Sequence, residues 1–256
     1  MLKVVTWNVN SIRVRFEQVA DWLKHFSPDV LCLQETKSQD ENFPLAAFEA
    51  LGYQALFMGQ KTFNGVAILS KQTMLDPVYA FPGFDDPQKR VLAATLGDVR
   101  VVNVYIPNGS EVDSEKYHYK LDWLKHFKSF LTDELKQHEK IVVVGDFNIA
   151  PEDRDVHDPE KWQGSVLVSP KERAVFESLI DLGFVDTFRL FDQAADSYSW
   201  WDYRAAAFRR NNGLRIDHVL ASTALASNCL SCSVDKEPRM LERPSDHAPV
   251  IAEFAK

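Results

Sequence analysis

Residues 140–151, with the sequence KIVVVGDFNIAP, carry the strongest structural signal in the chain. Residues 141–144 form a short run of β-branched and apolar side chains, which is typical of a strand buried on both faces. Gly145 is expected to let the chain turn, so that Asp146 and Asn148 sit where the strand ends. Because strand side chains alternate with period two, these two polar groups point the same way. The segment therefore predicts a polar site at the end of a central strand.

Polar side chains also follow other strand-like runs. A polar loop after one strand is an ordinary feature, so the D-x-N pattern alone favours neither a structural nor a functional interpretation. Acid, amide or imidazole groups recur in WNVN at residues 7–10, QE at 34–35, RIDH at 215–218 and SDH at 245–247. Their recurrence predicts a shared site where several strand ends meet.

Length and composition indicate a globular protein with a sizeable core, since 45% of its 256 residues are hydrophobic. No charged leader precedes an apolar segment, and no run approaches the roughly 20 apolar residues that span a bilayer. We therefore expect a soluble protein with no membrane partner and a cytoplasmic location. The three cysteines are Cys32, Cys229 and Cys232. An odd count fits a reducing compartment, and the C-x-x-C pair is interpreted as apolar filling rather than a zinc or redox site.

The formal net charge of −8 ordinarily counts against a nucleic-acid partner. An acidic metal pocket would contribute several of these negative charges, so the distribution of charge matters more than the sum. Basic and aromatic residues suited to DNA contacts are mixed in one stretch, namely Arg204, Arg209, Arg210 and Arg215 with Trp200, Trp201, Tyr203 and Phe208. A solvated loop with buried aromatic side chains explains the same mixture equally well.

Strand and helix patterns alternate along the chain, which predicts an α/β fold. Strands are expected at residues 4–6, 30–33, 65–70, 91–96, 101–106, 141–144, 215–221 and 250–254, and helices at 16–26, 43–51 and 115–137. Ser169, Pro170 and Glu172 form a capping box with proline at the first helical position, so another helix begins there. Residues 151–168 have a weak pattern and are expected to be a surface excursion. No linker divides the chain, so a single domain over residues 1–256 is predicted.

The hexapeptide DWLKHF occurs at residues 21–26 and again at residues 122–127. Each copy lies between a strand that ends in polar groups and a strand that ends in an acid, which is Glu35 in the first case and Asp146 in the second. The matching order of elements predicts two similar half-units. Two sheets packed side by side would then carry both acids at the same end.

The polar residues at these strand ends suit a hard cation such as Mg²⁺ or Mn²⁺. The chain has no Gly-rich phosphate loop, no G-x-S-x-G elbow and no zinc-like spacing of His and Cys, which disfavours nucleotide kinases, serine hydrolases and zinc enzymes. Oxygen ligands remain, in Glu35, Asp146, Asp217 and Asp246 together with Asn8, Asn10 and Asn148. Such a set can support metal-assisted hydrolysis of a phosphate ester.

His247 is the one well-placed imidazole, and Asp217 is a candidate to hold one of its nitrogens. On its own, a D-H dipeptide is more often a satisfied core histidine than a catalytic group. The flanking residues, Pro244 and Ser245 before this dipeptide and Ala248 and Pro249 after it, make a functional role more plausible than the dipeptide alone does.

The ordered motifs of the chain resemble those of the exonuclease III family of apurinic/apyrimidinic (AP) endonucleases. The resemblance covers the whole chain and is carried by TWNVN at residues 6–10, LQETK at 33–37, VYIPNG at 104–109, GDFNIAP at 145–151, WDYR at 201–204, GLRID at 213–217 and SDHAP at 245–249. It implies a four-layered α/β sandwich, in which helices flank two packed mixed β-sheets. It also implies that the site lies at one end of those sheets.

The same resemblance implies roles for the metal ligands. Glu35 would bind Mg²⁺, for which Mn²⁺ is expected to substitute. Three further residues would lie close to this ion, namely Asn8, Asn10 and Asp246.

Catalytic roles also follow from the family pattern. Asp146 would activate the attacking water and Asn148 would position it. His247, oriented by Asp217, would contact the scissile phosphate, and Tyr105 would lie near the phosphate or the leaving oxygen.

Further positions correspond to residues that contact the substrate. Arg90 would reach the DNA backbone, and the pocket for the damaged sugar would be shaped by Trp200, Trp201 and Leu214. Leu167 lies in a loop before the capping box, where family members that act on internal abasic sites tend to carry a small residue. If Leu167 faces the DNA, blocked 3′ ends should be preferred to internal abasic sites. If Leu167 packs inward under the loop, no such preference follows.

The activity implied is that of a Mg²⁺-dependent DNA repair nuclease acting in base excision repair. Its substrate would be double-stranded DNA with abasic sites or blocked 3′ ends, cut as an AP endonuclease, a 3′-phosphodiesterase and a 3′–5′ exodeoxyribonuclease. We expect a monomer. Two alternatives stay open: another phosphoesterase of the same superfamily, and a catalytically silent nucleic-acid-binding protein on the same fold.

Overall fold

Two six-stranded sheets form the centre of the computed structural model, which describes residues 1–256. The strands are β1 (Leu2–Asn8), β2 (Val30–Gln34), β3 (Gln54–Met58), β4 (Val66–Ser70), β5 (Leu75–Val78), β6 (Val91–Leu96), β7 (Val99–Tyr105), β8 (Lys140–Asp146), β9 (Phe184–Asp186), β10 (Trp200–Trp201), β11 (Gly213–Leu214), β12 (Asp217–Ser222), β13 (Cys229–Val234) and β14 (Val250–Phe254). The helices are α1 (Ile12–Phe26), α2 (Leu45–Ala50), α3 (Glu115–Gln137), α4 (Pro159–Trp162), α5 (Pro170–Asp181), α6 (Ala207–Arg210) and α7 (Thr223–Ala226). No helix is long and apolar enough to cross a bilayer.

Each sheet contains one parallel strand pair among antiparallel neighbours. The first sheet has the order β13-β14-β1-β2-β4-β3, and the second has the order β5-β6-β7-β8-β12-β9. The parallel pairs are β1 with β2 and β7 with β8. In the first sheet β1 also pairs with β14, which joins sequence from the two ends of the chain. The single domain stays a prediction.

Apolar residues fill three interfaces and so create four layers. One cluster lies between the two sheets and includes Val30 and Val142. A second packs α1 and α2 on the outer face of the first sheet, and a third packs α3 and α5 on the outer face of the second. Burying a side chain such as Leu124 contributes roughly 1.5–3 kcal/mol. The predicted four-layered α/β sandwich is confirmed.

The DWLKHF repeat occupies equivalent positions in the two sheets. Its first copy ends α1, which connects the parallel strands β1 and β2, and its second copy lies in α3, which connects β7 and β8. Trp22 and Trp123 both point into the layer between their helix and their sheet. Each repeat therefore belongs to one βαβ unit, and the carboxyl ends of β1, β2 and β8 carry Asn8, Glu35 and Asp146.

Sequence patterns missed mainly the strands at the sheet edges. β3, β5 and β13 are edge strands with mixed or exposed residues, so they lack the buried apolar run by which central strands are recognised. The capping box at Ser169 is confirmed, with α5 running to Asp181. Residues 151–168 are not only a surface excursion, because they contain α4 and the fully buried Asp155.

The expected turn at Gly145 is wrong, because β8 continues through this residue to Asp146. Gly145 has φ 153° and pairs with Val104 of the parallel neighbour. A Cβ atom at this position would lie 1.9 Å from the carbonyl oxygen of Val104. The glycine is therefore needed for the close approach of β7 and β8 and not for a turn.

Candidate active site

The ends of four strands bring the central polar groups together. Asn8 ends β1, Glu35 follows β2, Asp146 ends β8 and Asp217 begins the antiparallel β12. The side-chain amide of Asn8 donates to Oε1 of Glu35 at 2.8 Å and to Oδ2 of Asp146 at 2.9 Å. A single carboxamide thus ties a carboxylate of the first sheet to a carboxylate of the second.

His247 lies between two carboxylates. Its Nδ1 is 2.8 Å from Oδ2 of Asp217, and its Nε2 is 3.5 Å from Oδ2 of Asp146. Burial disfavours the imidazolium, but the negative charges of Asp217 and Asp146 outweigh burial and raise the pKa of His247 to about 10. The ring is therefore a cation at neutral pH, with Nε2 directed toward Asp146.

Asp146 is buried, and this burial raises the pKa of its carboxyl group to about 7, against the opposing effect of His247. Its Oδ1 accepts the backbone N–H of Asn148 at 3.0 Å. A carboxylate with a pKa near neutrality is suited to accept a proton from water at neutral pH. The site therefore contains a candidate general base beside a candidate cationic donor.

The donor set fits a hard divalent cation. Ligand atoms of Glu35, Asp146 and His247 all lie within 4.8 Å of one another, and the two carboxylates supply the oxygen ligands that Mg²⁺ prefers. Asp246 lies to one side, where its carboxylate accepts from Asn10 at 3.2 Å and from the indole of Trp200 at 3.0 Å. The carboxylate of Glu35 is therefore the strongest candidate ligand, with the carboxylate of Asp146 beside it.

A lysine that the sequence reasoning overlooked contacts the same site. Nζ of Lys37 lies 3.3 Å from Oε2 of Glu35 and donates to Oδ1 of Asn10 at 2.6 Å. Asn10 therefore has both ends of its carboxamide engaged, since its amide reaches Asp246. The LQETK motif contains Lys37, but the closeness of Lys37 to Glu35 in sequence does not by itself predict that the two side chains make contact.

Several site residues have left-handed backbone conformations. The φ angles are 44° at Asn10, 49° at Glu35 and 49° at Asn148. Such conformations are uncommon for residues other than glycine, particularly for glutamate, and cost of order 1–3 kcal/mol each. Hydrogen bonds from neighbouring segments hold this geometry, including the bond that the N–H of Ser11, at the N-cap of α1, donates to the carbonyl of Glu35 at 2.8 Å.

Asn148 is held from behind by a buried ion pair. Its carboxamide donates to the carbonyl of Ile106 at 2.9 Å and accepts from Asn108 at 3.3 Å. Its own carbonyl accepts from Nζ of Lys120 at 2.6 Å, and Lys120 also pairs with the fully buried Glu172. Lys120 occupies an inward position on the apolar face of α3. A lysine at such a position indicates a buried partner, and the sequence analysis did not use this indication.

Tyr105 and Arg90 are stacked beside the carboxylates. The guanidinium of Arg90 lies 4.7 Å from the centroid of the Tyr105 ring and donates to the Tyr105 carbonyl at 3.0 Å. Burial, with the nearby charges of Glu35 and Asp146, raises the pKa of the Tyr105 phenol well above its usual range. Tyr105 is therefore a neutral hydrogen-bond donor at the site. Arg90 is only 8% exposed, so little of it is available to a DNA backbone.

The residues expected to shape the substrate pocket differ in accessibility. Trp200 is half-buried and contacts Asp246, whereas Trp201 and Leu214 are fully buried in separate apolar clusters. Leu167 is 4% exposed and packs with Leu214. Of the two possibilities stated for Leu167, the inward one is observed. Its expected contact with DNA is wrong because the side chain fills the core beneath the loop.

The basic loop is only partly available to a polyanion. Arg209 and Arg210 are exposed, and Arg204 is exposed but paired with Asp202 at 2.8 Å. Arg215 is not a surface group. It is 1% exposed and forms ion pairs at 2.7 Å with Asp155 and with Asp186. Asp155 is the buried acid within residues 151–168.

The chain is similar to one protein family and to several known proteins. The family profile described as "Endonuclease/Exonuclease/phosphatase family" matches residues 5–247. The chain is 38% identical to exodeoxyribonuclease III of Haemophilus influenzae, over 99% of this chain and 100% of that protein. It is 48% identical to the 3′ phosphatase NExo from Neisseria bound to product DNA hairpin, with a TM-score of 0.98 and 100% of both chains covered. It is 40% identical to an AP endonuclease from Archaeoglobus fulgidus, with a TM-score of 0.96 over 100% of both chains.

Proposed function

Because the chain belongs to the endonuclease/exonuclease/phosphatase family, we propose that it is a DNA repair nuclease that hydrolyses phosphodiesters at abasic sites and at 3′ termini. Its likeness to exodeoxyribonuclease III and to an AP endonuclease supports this activity. The likeness to a 3′ phosphatase bound to a DNA hairpin supports double-stranded DNA with a 3′ end as one substrate.

One observation carries the proposal. The side chains of Glu35, Asn8, Asp146, His247 and Asp217 form a continuous series of contacts across the ends of the two sheets. The series contains a carboxylate that can hold a cation, a candidate base and an oriented imidazolium. Hydrolysis of a phosphate diester requires these three functions.

The cofactor we propose is Mg²⁺, with Mn²⁺ as a substitute, held by the carboxylate of Glu35. When bound, the ion would supply Lewis-acid stabilisation of the phosphoryl oxygens. The cluster of Glu35, Asp146 and His247 supports metal binding as such. The preference for magnesium follows from the two carboxylates of this cluster, since oxygen ligands suit Mg²⁺.

In the proposed reaction Asp146 accepts a proton from the water that attacks phosphorus, because its raised pKa places it near neutrality. Asn148 is rigidly held two residues beyond Asp146 and orients that water. The His247 imidazolium donates a hydrogen bond to a non-bridging phosphate oxygen and stabilises the charge that develops there. The neutral phenol of Tyr105 is placed to donate toward the phosphate or the leaving oxygen.

We also propose that the protein acts as a monomer in the cytoplasm. All three cysteines are free thiols, and Cys32 and Cys232 are buried. This arrangement suits a compartment in which disulfides do not form.

Product analysis on two duplexes tests the proposed function. One duplex carries an internal abasic analogue and the other a blocked 3′ end, and we expect cleavage of both when Mg²⁺ is present. Asp146→Asn should lower the single-turnover rate by roughly 10² to 10⁴ with little change in DNA affinity, as expected when a general base is removed. Cleavage by this variant at the parent rate would remove Asp146 from the mechanism, and failure of the parent to cut either duplex would refute the function.

A further inference from the structure

A groove beside the candidate active site has no part in the hydrolysis described above. It has a volume of about 580 Å³ and lies between the segment that contains α4 and the segment from β10 to α6. Its lining includes two tryptophans, Trp162 and Trp200, and three basic side chains, His157, Lys161 and Arg204. Trp162 and Trp200 are half-buried, and both pack against the buried cluster that contains Leu167 and Leu214.

The groove shares one wall with the active site. Trp200 lines it, and the indole N–H of the same residue donates to Oδ2 of Asp246 at 3.0 Å. Asp246 in turn is linked through Asn10 to the group of Lys37 and Glu35. A ligand in the groove would therefore lie next to the position at which the phosphate is cut.

The opposite wall, formed by the segment that contains α4, is anchored to β11, the strand in which Leu214 pairs with Trp200. β10 pairs with β11, and Val156 forms an isolated bridge to Leu214 of β11. The backbone N–H of His157 donates to the carbonyl of Gly213 at 3.1 Å. Asp158 then caps α4, which ends at Trp162. The two tryptophan-bearing segments are thus held at a fixed separation.

The lining matches the chemistry of a nucleotide. An unpaired base offers two π faces that can stack on indole rings, and its phosphate can be neutralised by a basic side chain. Arg204 is already paired with Asp202, whereas Lys161 forms no ion pair and is exposed. The volume lies within the range of roughly 300–1,000 Å³ typical of ligand pockets. A paired base within a duplex cannot present both of its faces to side chains, so the groove favours an unpaired one.

We propose that this groove, bounded by Trp162 and Trp200, binds an unpaired nucleotide at the 3′ end of the DNA strand that is cut. The base stacks on the indole of Trp162, and Lys161 contacts the adjoining phosphate. The inference rests on the proposed nuclease function and extends it, because it makes a frayed or mismatched 3′ end a better ligand than a fully paired one.

The test compares the affinities of two loop-labelled DNA hairpins, measured by fluorescence anisotropy in EDTA, with the DNA checked afterwards for integrity on a gel. One hairpin has a fully paired 3′ end, and the other has one extra unpaired 2-aminopurine at that end. The parent should bind the second more tightly and quench its fluorescence. Trp162→Ala should weaken binding of the unpaired hairpin about tenfold, as stacking energies per base suggest, and leave the paired hairpin unchanged.

Two further variants sharpen the comparison. Trp162→Phe keeps an aromatic face and should retain most of the affinity for the unpaired end. Leu230→Ala removes an exposed apolar side chain at the far end of the first sheet and should change neither affinity. If Trp162→Ala does not fold, Lys161→Ala should show the same selective loss.

Equal weakening of both hairpins by Trp162→Ala, or weakening of neither, would overturn the proposed subsite. The same result with Lys161→Ala would also overturn it. Cleavage of the paired abasic duplex by the parent is measured separately, so a failure of the proposed nuclease function remains distinguishable from a failure of this inference.

Discussion

Nδ1 of His247 lies 2.8 Å from Oδ2 of Asp217, and this contact joins the segment before β14 to the first residue of β12. β12 belongs to the second sheet and β14 to the first. The pair therefore bridges the sandwich, and it sets the orientation and the charge of the imidazole together. Ser199 fixes the Asp217 carboxylate in turn, since its hydroxyl donates to Oδ2 at 2.7 Å.

Asp217→Asn should lower the cleavage rate and shift the alkaline limb of its pH profile toward lower pH. The Asp217 carboxylate helps to raise the pKa of His247 to about 10, so its removal lowers that pKa and the imidazolium loses its proton earlier as pH rises. Single-turnover rates across the neutral and alkaline range measure the shift. Asp98→Asn, at an exposed ion pair with Lys140, is the matched control. A variant profile with the parent's alkaline limb would show that Asp217 does not control the charge of His247.

Removal of the metal with EDTA should abolish cleavage, and Mg²⁺ or Mn²⁺ should restore it. Glu35→Gln should weaken the apparent metal affinity by at least about tenfold, since even groups that only orient metal ligands are commonly worth 10- to 100-fold. Titration of intrinsic tryptophan fluorescence measures this affinity without relying on catalysis, because Trp200 contacts the neighbouring Asp246. Full activity in EDTA would rule out the metal site.

Lys120→Met should destabilise the fold by roughly 3–5 kcal/mol, because it leaves the fully buried carboxylate of Glu172 without its partner. The double change Lys120→Met with Glu172→Gln should recover part of this loss. Urea denaturation followed by circular dichroism gives both free energies of unfolding. Lys171→Met, at the exposed neighbour of Glu172, should have little effect. A loss below about 1 kcal/mol for Lys120→Met would mean that water reaches the pair.

Replacement of Arg209 and Arg210 by alanine should weaken duplex binding and flatten its salt dependence. Both side chains are exposed, and the slope of log K against log salt falls by about one for each phosphate that is no longer neutralised. Affinities at several salt concentrations provide the slope. Lys136→Ala, at the far end of α3, should leave it unchanged. An unaltered slope in the double variant would show that neither arginine binds a DNA phosphate.

Leu167→Gly should not raise incision at internal abasic sites selectively. The side chain is buried against the cluster that contains Leu214, so its removal should cost roughly 2–4 kcal/mol of stability. Relief of the positive φ of 79° at this position should offset part of that loss. Single-turnover rates on internal and 3′-terminal substrates should change in the same proportion. A selective gain at internal sites would show that Leu167 moves to face the DNA.

Sequence patterns predicted the architecture because its central strands contain runs of buried apolar residues and its parallel units carry a literal repeat. The buried runs of β2, β4 and β8 and the amphipathic α3 were recognisable without tertiary information. The shared location of Glu35 and Asp146 followed from the carboxyl ends of parallel strands meeting at one edge of the sandwich. The residues with unusual backbone geometry could not be predicted, since a left-handed φ at Glu35 depends on contacts that only the fold creates.

Charged residues inside the molecule escaped the sequence reasoning for a different reason. Arg215 was grouped with the surface arginines because it is basic and close to them in sequence, yet Asp155 and Asp186 from distant segments enclose it. Lys120 was overlooked in the same way. Ion pairs of this kind join residues far apart in the chain, and neither composition nor periodicity identifies the partner.

The position of β14 between β13 and β1 has a consequence for the order in which the molecule assembles. β1 and β14 lie far apart in the sequence, so one edge of β1 stays unpaired until these two strands meet. Loop closure over such a separation is entropically costly and slows folding. His247, on the segment that leads into β14, reaches Asp146 only when this closure occurs. The contact between His247 and Asp146 is therefore complete only in a chain whose first sheet has closed through β14.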